Sequence, residues 1–304
     1  MLSIANFIRR LKSPFNYNIG FVDITPAEFI EEEGFGKRKI EWMKHRYNDR
    51  WFADPFILGA DDDKIIVLAE EKQYGIPGSL VQLTVSRVGK YLIDRVEILK
   101  LPTHLSYPNP IEYDGKTYIY PENSQSGKLS IYEYSNGTPL KLITTLIDKP
   151  LNDSSIVINP KDGKCYLIAT STDLDPHNQT LIFEAESIMG KWVQVSGNPI
   201  ITDNRYARPG GNFFRVKDSL YRPAQDCACI YGNSLHIMKV DSLNPWSEQE
   251  AFHLKPSSYK YSKGLHTLNF HNSGIAVIDG NGYAYPFVGR ILGPVLERMI
   301  HPSK

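Results

Sequence analysis

Apolar positions in this chain fall into short runs separated by turn-forming residues. Runs such as SLVQLTVSRV, KLSIYEYSNG, TLIFEAES and SLHIMKVDSL alternate or concentrate β-branched and aromatic side chains, and clusters of Gly, Pro, Asn and Asp bound them. That is the pattern of β-strands joined by tight turns. One composite unit recurs: a small or polar residue, Pro or Ser, an apolar pair, a turn, then an apolar strand ending in a polar residue. The copies read ADPFILGADDDKIIVLAEE, SYPNPIEYDGKTYIYPEN, NDSSIVINPKDGKCYLIATS, ARPGGNFFRVKDSLYRPAQD and KGLHTLNFHNSGIAVIDGN, starting at residues 53, 106, 152, 207 and 263. Aligning them makes Asp54, Tyr107, Asp153, Arg208 and His266 equivalent, at intervals of 53, 46, 55 and 58 residues.

Each unit is a hairpin, with Asp-Gly as the turn in two copies. Each is followed by a further strand and a less regular outer stretch, such as KYLIDRVEILKL or GKWVQVSGNPII. Four strands per unit at a period near fifty residues predict an all-β fold, a five-bladed β-propeller. Residues 1–304 then form a single domain, with short N- and C-terminal extensions. A pair of irregular β-sandwiches would leave the regular spacing unexplained. YNIGFV, near Tyr17, is expected to complete the last blade and remove the open edge. The tail FVGRILGPVLERMIHP is expected to pack on the rim.

In a propeller the first strand of every blade lines the axis, so residues far apart in sequence converge at one mouth. Asp54, Tyr107, Asp153, Arg208 and His266 are expected to meet there. Glu70, Glu71, Glu122, Thr170, Asp226 and Asp279, at the ends of the second strands, would form an adjacent shell. Carboxylates beside cations and aromatic rings such as Trp51 suit a polyhydroxylated ligand, which needs acceptors for hydroxyls and π faces for C–H edges. The plainer alternative is that blade-initial Asp and Ser residues only tie blades together.

Composition narrows the classes. The 304 residues are 41% hydrophobic and 22% charged, with 18 Tyr and 13 Phe, an ordinary balance for a chain with a sizeable core. Thirty-four basic and 34 acidic residues cancel, so no global field draws nucleic acid or anionic lipid. Cys165, Cys227 and Cys229 make neither a disulfide framework nor a zinc pattern, and the last two are expected to be hidden in a buried strand. With no signal-peptide pattern at the N-terminus, the expected compartment is the reducing cytoplasm. Leu2, Phe7, Ile8 and Leu11 with Arg9, Arg10 and Lys12 fit a short terminal helix, packed on its own domain or in weak contact with a membrane surface. No Gly-rich phosphate loop or dinucleotide fingerprint is present, and no organic cofactor or tight metal-binding spacing is expected, which leaves room only for a single axial ion. His45, His177 and His253 are read as surface residues.

At WFADPF, HLSYPNP, YPEN, ARPGG, YRPAQDC followed by YG, and GLHTLN with IDG, the chain resembles the N-terminal propeller domain of plant glucosamine inositolphosphorylceramide transferase and its bacterial homologues. The resemblance runs from about Trp51 to Asp279. More broadly the chain resembles the five-bladed propeller glycosidases of families 43, 32 and 117. That resemblance implies a general base at Asp54 and, at Asp153, a middle-blade Asp that tunes the acid. The position of the glutamic acid itself falls on Arg208, which keeps its proton at every working pH and cannot serve. Glu122 or Asp226 would then take that part.

Inverting hydrolysis needs two carboxyls roughly 6.5–9.5 Å apart, and Asp54 with Glu122 on neighbouring blades is the expected pair. Arg208 and Arg222 are candidates for an anionic group on the ligand, an acidic sugar, nucleotide sugar or glycolipid head group. Arg222 is equally readable as half of a buried pair with Asp226. His266 could be an acid–base group, a metal ligand or a hydroxyl partner, and His104 opens a neighbouring repeat. Three functions stay open: an enzyme of glycosyl hydrolysis or transfer in surface-polysaccharide or glycolipid metabolism, a glycan-binding propeller serving a separate glycosyltransferase, and a scaffold.

Overall fold

A computed structural model describes residues 16–195 and 197–283. The expected terminal helix, and the tail expected on the rim, lie outside the described residues. Five antiparallel sheets follow one another around an axis, as the repeat predicts. Blade one runs Arg50–Ala60, Lys64–Gln73, Ser79–Ser86 and Leu92–Leu99; blade two runs Ser106–Tyr113, Lys116–Glu122, Leu129–Glu133 and Lys141–Ile147. Blade three is Leu151–Ile158, Cys165–Ser171, Gln179–Ala185 and Val193–Gln194. Blade four has a broken first strand, Arg208–Pro209 and Phe214–Val216, then Ser219–Asp226, Ser234–Leu243 and Trp246–Leu254.

Blade five is built from both ends of the described chain. Leu268–His271 and Ile275–Gly282 are followed in the sheet by Asn16–Asp23 and Glu41–Trp42. Asn16–Asp23 pairs along its whole length, from Asn16 opposite Gly282 to Asp23 opposite Ile275. The ring is thereby closed and the expected role of YNIGFV is met. The connection that follows carries a six-residue helix, Pro26–Glu31, started by a Thr25/Glu28 capping box.

Burial falls from axis to rim. Leu151–Ile158 and Cys165–Ser171 are buried at almost every position, whereas Lys141–Ile147 is exposed along most of its length. Inner strands have a blade on both faces, so they are buried on both sides even where they are polar, as at Asn152–Ser155. The core is split into slabs between blades rather than gathered at one centre. Phe56, Leu68 and Leu80 of blade one meet Tyr107, Ile119 and Tyr132 of blade two. Phe52, Val67 and Leu83 meet Ile19, Phe21 and Val277 of blade five across the other face. Similar slabs join blades two and three, three and four, and four and five.

Around the axis the slabs give way to a belt of hydrogen bonds. The Tyr107 amide donates to Asp54 Oδ2 at 3.1 Å, and Asn109 Nδ2 to the Ser154 carbonyl at 3.1 Å. Ser155 Oγ donates to the Gly211 carbonyl at 2.9 Å, and the Asn212 amide to Asn269 Oδ1 at 2.7 Å. Asn269 Nδ2 closes the circuit on the Pro55 carbonyl at 2.9 Å. Every blade boundary is crossed, and buried backbone groups that left the ladders find partners.

Candidate functional site

The repeat equivalence reappears in the backbone. Asp54, Tyr107 and Asp153 all have positive φ, at 51°, 46° and 47°. In each case the ladder skips two residues, between Ala53 and Phe56, Ser106 and Asn109, and Asn152 and Ser155. The bulge re-aims the residue at the start of each first strand toward the axis. For a bulky Tyr this conformation costs on the order of 1–3 kcal/mol, and such strain gathers at functional sites.

Two ion-pair arms meet at this mouth. In the first, Asp54 Oδ1 accepts from Thr267 Oγ1 at 2.8 Å and lies 3.8 Å from His266 Nε2. Asp279 Oδ2 stands 2.5 Å from His266 Nδ1 and accepts from the Asp54 amide, while its Oδ1 accepts from the His266 and Thr267 amides. Burial alone would lower the His266 pKa, but the Asp279 carboxylate, with Asp54 behind it, carries it up to about 9. Tyr17 stacks on the His266 ring at 4.7 Å.

In the second arm, Arg208 Nε bonds Asp153 Oδ2 at 2.6 Å, and its Nη2 lies 3.6 Å from Glu122 Oε2. Gln225 Nε2 also donates to Asp153 Oδ2, at 2.7 Å. Tyr231 lies under the guanidinium, 5.0 Å from its carbon, and meets His266 edge-on at 5.4 Å. Burial pushes Asp153 up to about 6 against the pull of Arg208; burial likewise pushes Asp54 up to about 6 against His266.

Between the arms lies a cavity of about 370 Å³. Of the expected residues, Trp51, Asp54, Glu70, His104, Glu122, Arg208 and His266 line it. Burial, then repulsion from Asp54, holds Glu70 well above the usual carboxylate range. His104 Nε2 is 3.4 Å from Glu70 Oε1, and burial with Lys72 nearby lowers His104 to about 4, leaving it a neutral ring. Glu122 accepts from Ser106, Ser124 and Asn152. A larger hollow of about 550 Å³ lies at the edge of blade five, beside Trp42, Lys44 and Lys260, but it gathers none of the repeat residues.

Other expected residues stand elsewhere. Asp153 and Asp279 are fully buried behind Arg208 and His266. Tyr107 contributes its amide, while its ring packs edge-on against Phe56 and its hydroxyl meets Ser155 at 3.0 Å. Arg222 does not reach the cavity and does not pair with Asp226: its Nη2 lies 2.6 Å from Glu248 Oε1. The reason is strand geometry, since residues four apart on one strand point the same way but sit about 13 Å apart. Asp226 instead accepts from Ala228, Asn233 and Ser234. The strand ends at Asp226, so Cys227 and Cys229 lie in the following turn, half-buried and exposed rather than hidden; Cys165 is buried.

Sequence reasoning missed Tyr17, Lys72, Tyr74 and Tyr231 on the cavity wall and Thr267 on Asp54. Tyr17 follows from ring closure, and Tyr231 is the tyrosine of the YG signal already singled out. Asp54, His266 and Asp279 bring potential metal-ligating atoms within 4.8 Å of one another. However, a carboxylate has about four lone-pair sites, and the three amides and His266 Nδ1 fill those of Asp279. This cluster fits an internal ion pair better than a seat for a cation.

A family model described as glucosamine inositolphosphorylceramide transferase 1, N-terminal, matches residues 41–277. Glucosamine inositolphosphorylceramide transferase 1 of Oryza sativa subsp. japonica is 31% identical over 211 residues, covering 65% of this chain and 27% of the rice protein. The Arabidopsis thaliana protein of that name is 36% identical over 148 residues, 46% of this chain and 19% of its own. The match thus spans about a quarter of the rice relative's length. A GH43 beta-xylosidase/alpha-arabinofuranosidase from a compost microbial metagenome superposes with a TM-score of 0.53 at 13% identity, covering 79% of this chain and 93% of that one. A family 117 glycoside hydrolase of Zobellia galactanivorans gives 0.54 at 11% identity, covering 89% and 91%. At these identities the likeness is one of fold.

Proposed function

The chain belongs to the family of glucosamine inositolphosphorylceramide transferase 1 N-terminal domains, and from that premise we propose that its axial cavity binds a glycosyl group for hydrolysis or transfer in surface-polysaccharide or glycolipid metabolism. The observation that carries this reading is the pair of unlike carboxyls from neighbouring strands of blade one on a single cavity wall. Glu70, opposite Ala53 in the ladder, is held by burial well above the usual carboxylate range, while Asp54, pushed only to about 6, is mostly ionised at neutral pH. Carboxyls set apart in this way divide into acid and base. Asp54 takes the proton of the incoming hydroxyl, and Glu70 gives its proton to the departing glycosidic oxygen. Trp51, Tyr74 and Tyr231 supply faces for the sugar ring, and Glu122 with Asp153 holds Arg208 in place.

Because the Arg208 charge is already offset by Asp153 and Glu122, a neutral hydroxyl-rich sugar fits better than the anionic one expected from sequence. Asp54→Asn is expected to lower turnover by about 10²–10⁴-fold while sugar binding, followed by calorimetry, persists. Full activity in that variant removes Asp54 from the chemistry. The wild-type rate should rise as pH climbs through about 6, where Asp54 loses its proton. A non-catalytic glycan-binding role beside a partner glycosyltransferase has its own support: both Asp54 oxygens accept internal hydrogen bonds, and Arg208 stands at the hydrolase acid's repeat position. Sugar binding without turnover over a broad panel of donors and acceptors would favour it.

A further inference from the structure

Blade four holds a second cluster, away from the residues that line the axial cavity. His236 and His253 are direct cross-strand partners, and Asp226 stands two residues beyond Ala224, which faces His236 on the other side. Period-two alternation therefore puts all three side chains on one face of the sheet. The imidazoles stack at 4.1 Å, and one potential ligating atom from each residue falls within 4.8 Å of the others.

His236 is only 6% exposed, and its two nitrogens are unequal. Nδ1 lies 2.8 Å from Glu250 Oε1, whose other oxygen accepts from the Tyr206 hydroxyl at 3.0 Å. Nε2 is buried without any hydrogen-bond partner and points at Asp226 Oδ2 from 4.0 Å. A neutral imidazole that donates Nδ1–H to Glu250 presents a bare lone pair at Nε2. That lone pair faces a carboxylate oxygen, an arrangement that repels unless a proton or a metal cation lies between them.

We propose that Asp226, His236 and His253 form a binding site for a divalent transition-metal cation of the zinc type. Two imidazoles and one carboxylate, with the fourth position left to water, are a zinc donor set; calcium and magnesium prefer all-oxygen shells. Ligand atoms around a tetrahedral zinc stand about 3.4 Å apart, and zinc lies in the plane of each imidazole it binds, so the two stacked rings, now 16° from parallel, must tilt toward a common point as the cluster contracts. The Asp226 oxygens already accept from the Ala228 amide, Asn233 Nδ2 and Ser234 Oγ, which orient the carboxylate, and Ser234 Oγ also meets His253 Nε2 at 2.8 Å. Glu250 acts one step out as a positioning residue, fixing the tautomer and raising the basicity of His236.

The test is titration of tag-free, metal-stripped protein with cobalt(II). One equivalent should bind and develop the d–d absorption of a tetrahedral nitrogen/oxygen site, and zinc but not calcium should displace it. His236→Gln and His253→Gln should each weaken binding about a hundredfold or more, and Glu250→Gln about 10–100-fold. His266→Gln should leave it unchanged, which separates this site from the axial cluster. His253 is the half-buried member, so its variant is informative even if His236→Gln fails to fold. Absence of stoichiometric cobalt binding, binding that persists in His253→Gln, or binding lost in His266→Gln would overturn the proposal.

Discussion

Asp54 and Asp153 occupy the same slot in the first and third copies of one repeat, two blades apart, and differ in what answers their charge. Both sit in a bulge at nearly the same positive φ, both are fully buried, and burial drives both up to about 6. Asp153 is met directly by a permanent cation, Arg208, at 2.6 Å, with Gln225 on the same oxygen. Asp54 is met at 3.8 Å by an imidazolium whose nearer partner is Asp279. A buried carboxylate locked to a guanidinium is a fixture, whereas one faced by a distant, titratable ring keeps freedom to exchange a proton. The identity of the cation, supplied from another blade, sets the difference between the two arms.

The largest effect expected from breaking this contrast is on the locked side. Arg208→Met strands Asp153 as a buried, unanswered charge and should lower stability by about 3–5 kcal/mol in urea unfolding. Adding Asp153→Asn should restore most of that loss. His266→Gln, which leaves Asp279 its three amide donors, should cost less, about 1–3 kcal/mol; equal losses in the two arms would erase the distinction.

pH sharpens it next. His266 is raised in the folded state, so its contribution is full below about 6.5 and fades as pH climbs through about 9. Asp54 and Asp153 are raised carboxyls, so stability should fall as pH rises from about 4 through about 6, where the folded protein must ionise them. In unfolding midpoints measured against pH, His266→Gln should flatten the alkaline limb and Asp54→Asn the acidic one. The smallest effect is that of Thr267→Val. Loss of the 2.8 Å bond to Asp54 should cost about 1 kcal/mol and push the Asp54 carboxyl higher still, as read by carbon NMR titration.

Much of this was legible in the chain because propeller repeats are local. The hairpin units and the equivalence of positions 54, 107 and 153 depend on residues close in sequence, and the shared bulge shows that the alignment followed the backbone. Asp114 and Gly115, both at positive φ, supply the twist expected of an Asp-Gly hairpin turn. What stayed hidden was pairing between blades. Nothing around Arg222 announces Glu248, 26 residues on, because the choice between Glu248 and Asp226 is made by strand register. Thr267, unremarked within GLHTLN, reaches across 213 residues to Asp54. His253, read as a surface residue, gained its meaning from His236 opposite it in the ladder.

The pairing of Asn16–Asp23 with Ile275–Gly282 has a consequence for how the molecule is made. On the ribosome the first of these segments emerges some 250 residues before its mate, an interval of roughly 13–50 s at ordinary elongation rates. Through that time NYNIGFVD, almost entirely buried in the finished protein, has only the short stretch Glu41–Met43 to hydrogen-bond with, and its other edge stays open. Nascent chains should therefore be most vulnerable to chaperone capture and strand exchange until translation delivers the final hairpin.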